Sequence, residues 1–103
     1  MLLIFTTVAH ATLNTGYYRV KSYNDKYLTE NISDNTLICS DLATGNYAQV
    51  WYINVSGSDV TFKNVLTDKY IQGQGTYSSQ YYTGTTQQTF TLAESDKQNS
   101  TPP

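Results

Sequence analysis

Few residues of this chain could do bond chemistry. Its single histidine is His10 and its single cysteine is Cys39. His10 lies in an N-terminal apolar stretch, residues 1–11, that reads as a removable leader. Once the leader is removed, no imidazole is left to activate a hydroxyl or thiol, which argues against a nucleophile–histidine arrangement. One thiol without a histidine is also a poor start for a zinc site. A glycosidase needs paired carboxylates flanking a sugar bond. The two glutamates, Glu30 and Glu94, fall at a strand end and in a polar tail. Asp25, Asp34, Asp59 and Asp68 stand in turn contexts, where a short carboxylate caps the local backbone. Gly73-Gln74-Gly75 lacks the Lys-Ser/Thr pair and following helix of a phosphate loop. The expectation is a protein that is not an enzyme, with no catalytic residues, no metal site and no cofactor.

Charge narrows the partners. Six Lys+Arg oppose eight Asp+Glu, for a net charge of −2, and charged residues make up 14% of the chain. No basic stripe is present to recruit phosphates, so nucleic acid is not an expected partner. Residues 2–8 are apolar but too few to span a bilayer as a helix, which takes roughly 20 residues. Ala9-His10-Ala11 after them is a small-x-small pattern that a signal peptidase cuts. The stretch reads as the end of a signal peptide that starts upstream or as a short complete one; the alternative is a strand of the domain. The first reading places the protein outside the cell or on its surface. Cys39 closes the strand-like run Thr36-Leu37-Ile38-Cys39 and is expected to be a buried, inert thiol. Asn31-Ile32-Ser33, Asn54-Val55-Ser56 and Asn99-Ser100-Thr101 match the glycosylation acceptor pattern, as an Asn- and Ser/Thr-rich composition does by chance. Residues 94–103 read as a polar tail or linker.

The elements that must position any site are strands. Ten tyrosines, many threonines and two prolines suit an all-β chain, and no segment keeps a 3.6-residue period, so no helix longer than one turn is expected. The chain also matches itself. Tyr18-Arg19-Val20-Lys21 aligns with Val60-Thr61-Phe62-Lys63, both alternating apolar with polar. Asp25-Lys26-Tyr27-Leu28 aligns with Asp68-Lys69-Tyr70-Ile71, a tight turn leading into a strand. Gln49-Val50-Trp51 aligns with Gln88-Thr89-Phe90. The units run over about residues 16–55 and 59–93, with Gly57-Ser58 as a turn between them.

A repeat of about 40 residues, with its Lys-Tyr-Leu/Ile strand and Gln-x-Trp ending, resembles the ricin-type β-trefoil lectin family across residues 16–93. The resemblance implies a partial or atypical β-trefoil built from two of the family's three units. The third would come from a longer chain or from self-association, because two units leave strand edges uncovered. It also implies that Gln49, Trp51, Gln88 and Phe90 are scaffold: the rings fill the core and the glutamine amides satisfy backbone groups in the loops.

In such lectins a sugar is held by an early acid, an aromatic platform and an amide just before the Gln-x-Trp. In unit one the acid position falls at Thr29 or Glu30, the platform at Ser40 or Tyr47, and the amide at Asn46, with Ala48 directly before Gln49. In unit two the positions fall at Gln72, at Tyr81 or Tyr82, and at Gln87. Unit one lacks the adjacent amide, and unit two lacks the acid. Tyr77, Tyr81 and Tyr82 alternatively cover the barrel wall. The resemblance implies a non-catalytic module that binds a glycan or polysaccharide. A different class of function on the same fold is protein binding, as in a protease inhibitor or an adhesion scaffold. A further alternative is a fragment without a function of its own.

Overall fold

The computed structural model describes residues 13–22, 24–73 and 81–91. The leader with His10, Tyr77, the tail with Glu94 and the Asn99 acceptor pattern lie outside them. Among the described residues eight strands form one antiparallel sheet: β1 (Gly16–Tyr18), β2 (Tyr27–Asn31), β3 (Thr36–Ser40), β4 (Trp51–Ser56), β5 (Asp59–Asn64), β6 (Tyr70–Gly73), β7 (Tyr81–Gly84) and β8 (Phe90–Thr91). Their order is β1-β4-β5-β6-β7-β3-β2, with β8 beside β5, and the sheet curls into a half-barrel. One turn of 3-10 helix, Tyr47–Gln49, precedes β4. The fold is all-β. Among the described residues no helix is long and apolar enough to cross a membrane.

The β4–β5 hairpin is the spine. Its ladder runs from Trp51↔Asn64 to Ser56↔Asp59 and closes through Gly57-Ser58, where Gly57 takes φ 63°. Directly opposed residues share a face. The pairs Ile53↔Phe62 and Val55↔Val60 therefore turn one apolar face inward, while Tyr52↔Lys63 and Asn54↔Thr61 lie on the other. Trp51, Ile53, Val60 and Phe62 bury against Leu13, Val20, Leu28 and Ile71, with Tyr18, Leu37, Tyr81 and Phe90 packed around them. Leu13 belongs to this core although it precedes the expected start of the folded unit at residue 16.

Both Asp-Lys-Tyr turns carry a left-handed aspartate before the lysine, and the second turn is one residue longer. Asp25 and Asp68 adopt φ 63° and 59°, a left-handed conformation that Asp tolerates better than most L-residues. The Asp25 amide donates to the Ser22 carbonyl at 3.1 Å, and the Asp68 amide to the Asn64 carbonyl at 2.9 Å. Lys21 then faces Tyr27, and Lys63 faces Tyr70. Leu28 and Ile71, next along each strand, are both buried.

Two local expectations change. The alternating segment from Tyr18 leaves the ladder after Tyr18, and Lys21 makes only an isolated bridge. Cys39 is exposed, not buried.

Candidate binding surface

The Gln-x-aromatic segments hold the scaffold together. Trp51 is 0% exposed, and its indole Nε1 donates to the Leu28 carbonyl at 3.0 Å, tying β4 to β2. Gln49 is buried. Its Oε1 accepts from the Ala43 amide at 2.9 Å, and its Nε2 donates to the Asp41 carbonyl at 2.7 Å and the Ser40 hydroxyl at 3.1 Å. The Asp41 and Ala43 groups belong to the loop after β3, where no ladder satisfies them. Gln88 accepts from the Gly73 amide at 2.9 Å and donates to the Gly73 carbonyl at 2.6 Å. Phe90 is half-buried, edge-on to Phe62 at 6.0 Å.

Of the residues aligned with a lectin sugar site, Glu30 is withdrawn into the sheet, while Gln72 and Tyr82 are brought side by side. Glu30 is 2% exposed, with Oε1 accepting from Thr67 at 2.6 Å and Oε2 from Thr83 at 2.9 Å. Its carboxylate therefore joins the β2–β3 hairpin to the second half of the sheet and is not presented to solvent. Strand parity was the signal for this: Glu30 lies two residues from the inward-facing Leu28. Asn46 accepts from the Ala48 amide at 3.1 Å, capping the 3-10 turn, and Tyr47 beside it is exposed. Gln72 and Tyr82 are directly opposed on β6 and β7. The Gln72 carboxamide lies over Gly84, where a β-carbon would collide with it. Tyr81 turns inward, 6.0 Å from Phe90, while Tyr82 is 48% exposed and Gln87 is exposed in the following loop.

Register assembles a different surface. Tyr17 on β1 opposes Tyr52 on β4, Tyr52 opposes Lys63 on β5, and Lys63 opposes Tyr70 on β6. These four form a row on the outer face, one from each of four strands, because Tyr52 sits between the inward-facing Trp51 and Ile53. The Tyr17 and Tyr52 rings lie 5.1 Å apart at 57°, and Tyr17 is 70% exposed. The Lys63 ammonium stands 5.9 Å from the Tyr52 centroid and 6.0 Å from that of Tyr70, within cation–π range of both.

An open groove of about 450 Å³ runs along this row, lined by Tyr17, Tyr52, Lys63, Val65 and Asp68. Its far wall is the turn after β5, fixed by the buried Asn64. The Asn64 Nδ2 donates to the Ala48 carbonyl at 2.9 Å, and its Oδ1 accepts from the Leu66 amide at 3.0 Å. The Val65 amide donates to the Val50 carbonyl at 2.9 Å. The groove thus offers ring faces, a cation and an acid on one face of the sheet. No one segment of sequence holds these groups together; alternation marks Tyr52 and Lys63 as outward but does not bring them side by side.

The perturbed carboxyl lies elsewhere. Asp34, in the β2–β3 turn, accepts from the Thr36 hydroxyl at 2.6 Å and the Thr36 amide at 3.0 Å. These bonds, the hydroxyl's first, hold its pKa below the ordinary aspartate value. Among the described residues no group of three His, Cys, Asp or Glu side chains could hold a metal ion. Against protein-family models, curated proteins and solved structures, the chain finds no significant match.

Proposed function

We propose that this chain is a non-catalytic carbohydrate-binding module, a partial or atypical ricin-like β-trefoil of two units acting in a secreted or surface protein. The observation that carries the binding role is the open groove beside Tyr17 and Tyr52. A sugar ring presents a C–H face that stacks on tyrosine, while its hydroxyls need a cation and an acceptor at the rim. Lys63 and Asp68 supply that pair.

The two-unit reading draws support from matched pairings. β1 pairs with β4, the first and last strands of unit one, and β5 with β8, the first and last strands of unit two. β2 pairs with β3, and β6 with β7, as inner hairpins. The left-handed aspartates and the Lys–Tyr contacts recur at equivalent places. Among the described residues β1, β2 and β8 each have one strand neighbour, so a third unit or a second copy would cover open edges.

A glycan array tests the function. The folded chain should bind a subset of glycans, and Tyr17→Ala and Tyr52→Ala should each remove most of that signal. Tyr82→Ala, on β7, should leave it intact. No binding to any glycan by folded protein would overturn the reading. Protein binding remains the second reading because Ile32, Ile38 and Leu42 are exposed around the β2–β3 hairpin and the loop after it.

A further inference from the structure

We infer that the groove selects an acidic sugar, with a carboxylate or sulfate on the ring held by Lys63; this rests on the carbohydrate reading above. Lys63 is positioned by both of its neighbouring strands, with the Tyr52 and Tyr70 rings at 5.9 and 6.0 Å on either side. Its ammonium cannot swing freely along the sheet without giving up one of those contacts. An ammonium carries three N–H donors, and ring faces offset its charge without accepting directional bonds as oxygen does.

The other groups nearby leave that capacity unused. Among the described residues the ion pairs are Lys21–Asp25 and Lys26–Asp41, and Lys69 donates to the Asn35 carboxamide at 2.9 Å. Lys63 has no carboxylate partner among them. Asp68 lines the same groove and forms no ion pair with Lys63. A neutral sugar against Tyr52 would strip water from the ammonium and return only neutral hydroxyl contacts. An anionic substituent adds direct attraction between opposite charges to the hydrogen bond that any sugar oxygen accepts from the ammonium. Asp68 repels the acid and accepts a hydroxyl, so the two charges set which way round the ring lies. The whole chain carries a net charge of −2, so no broad positive field gathers anions, and selection for the acid is local to Lys63.

The test uses the full chain and four probes: uronic-acid oligosaccharides, sulfated oligosaccharides, their neutral counterparts, and polyglutamate as a polyanion without a sugar ring. Binding is read by titration calorimetry, with circular dichroism confirming that each variant is folded. One or both acidic sugars should bind about tenfold or more tightly than the neutral form. Lys63→Gln should erase that preference, and Lys26→Gln, outside the groove, should not. The preference should weaken with added salt. The two acidic arms tell a carboxylate from a sulfate. Equal binding of neutral and acidic forms, or an unchanged preference in Lys63→Gln, would overturn the inference and leave the carbohydrate reading standing. Equal binding of polyglutamate would also overturn it. Absence of binding to every sugar would remove both.

Discussion

Glu30 and Trp51 show at the scale of single residues how a polar contact is made structural by burial. Trp51 fills the core and also satisfies the Leu28 carbonyl. Trp51→Ala should cost about 3–5 kcal/mol in urea unfolding, from the cavity and the orphaned acceptor together. Glu30→Ala should cost about 1–3 kcal/mol, because the buried Thr83 hydroxyl loses its carboxylate acceptor. Glu30→Gln should cost less, since one carbonyl oxygen remains. A larger loss for Gln than for Ala would show that the two hydroxyls are not what the carboxylate serves. Asp34 gives a pH dependence of known sign. Its folded-state pKa is depressed, so its contribution is present above the unfolded value and is lost as pH falls through the lower folded one. NMR titration should place its midpoint below that of an ordinary aspartate, and Thr36→Val should move it back up by removing the hydroxyl donor.

At the scale of elements, turns and parity decide most of the fold, and both are local enough to read from sequence. The Asp-Lys-Tyr turns and the Gly57-Ser58 turn stand where composition places them, since few residues accept a positive φ. Gly57 has no heavy atom within 4 Å of an added β-carbon, so Gly57→Ala isolates the backbone cost. It should lower stability by about 1 kcal/mol, measured by thermal unfolding. Gly84→Ala is a different case: the added β-carbon meets only the far end of the Gln72 side chain, which can turn aside, so the loss should be small and should disappear in the double variant with Gln72→Ala. Strand ends were harder to read. The alternation from Tyr18 through Lys21 continues past the point where β1 leaves the ladder, because periodicity does not say whether a partner strand is still alongside.

On the scale of the molecule, both halves of the sheet contribute to one core. Val20, Leu28, Trp51 and Ile53 pack in the same cluster as Val60, Phe62 and Ile71. Loss of either half would uncover the other, so unfolding should be a single transition. Fluorescence of Trp51, the only tryptophan, and the far-ultraviolet strand signal should give the same midpoint in urea. Separate midpoints would mean that the halves fold independently. The strand class, the turns and the inward rings were set by the sequence itself, because they follow from alternation, from residues that tolerate left-handed backbone, and from the size of aromatic side chains. The groove was decided by tertiary structure. Tyr17, Tyr52, Lys63 and Tyr70 become neighbours only through strand register, and Glu30 is withdrawn from solvent only because Thr67 and Thr83 arrive from the other half of the sheet. Register and long-range pairing depend on how whole strands align, and no short window of sequence carries that information.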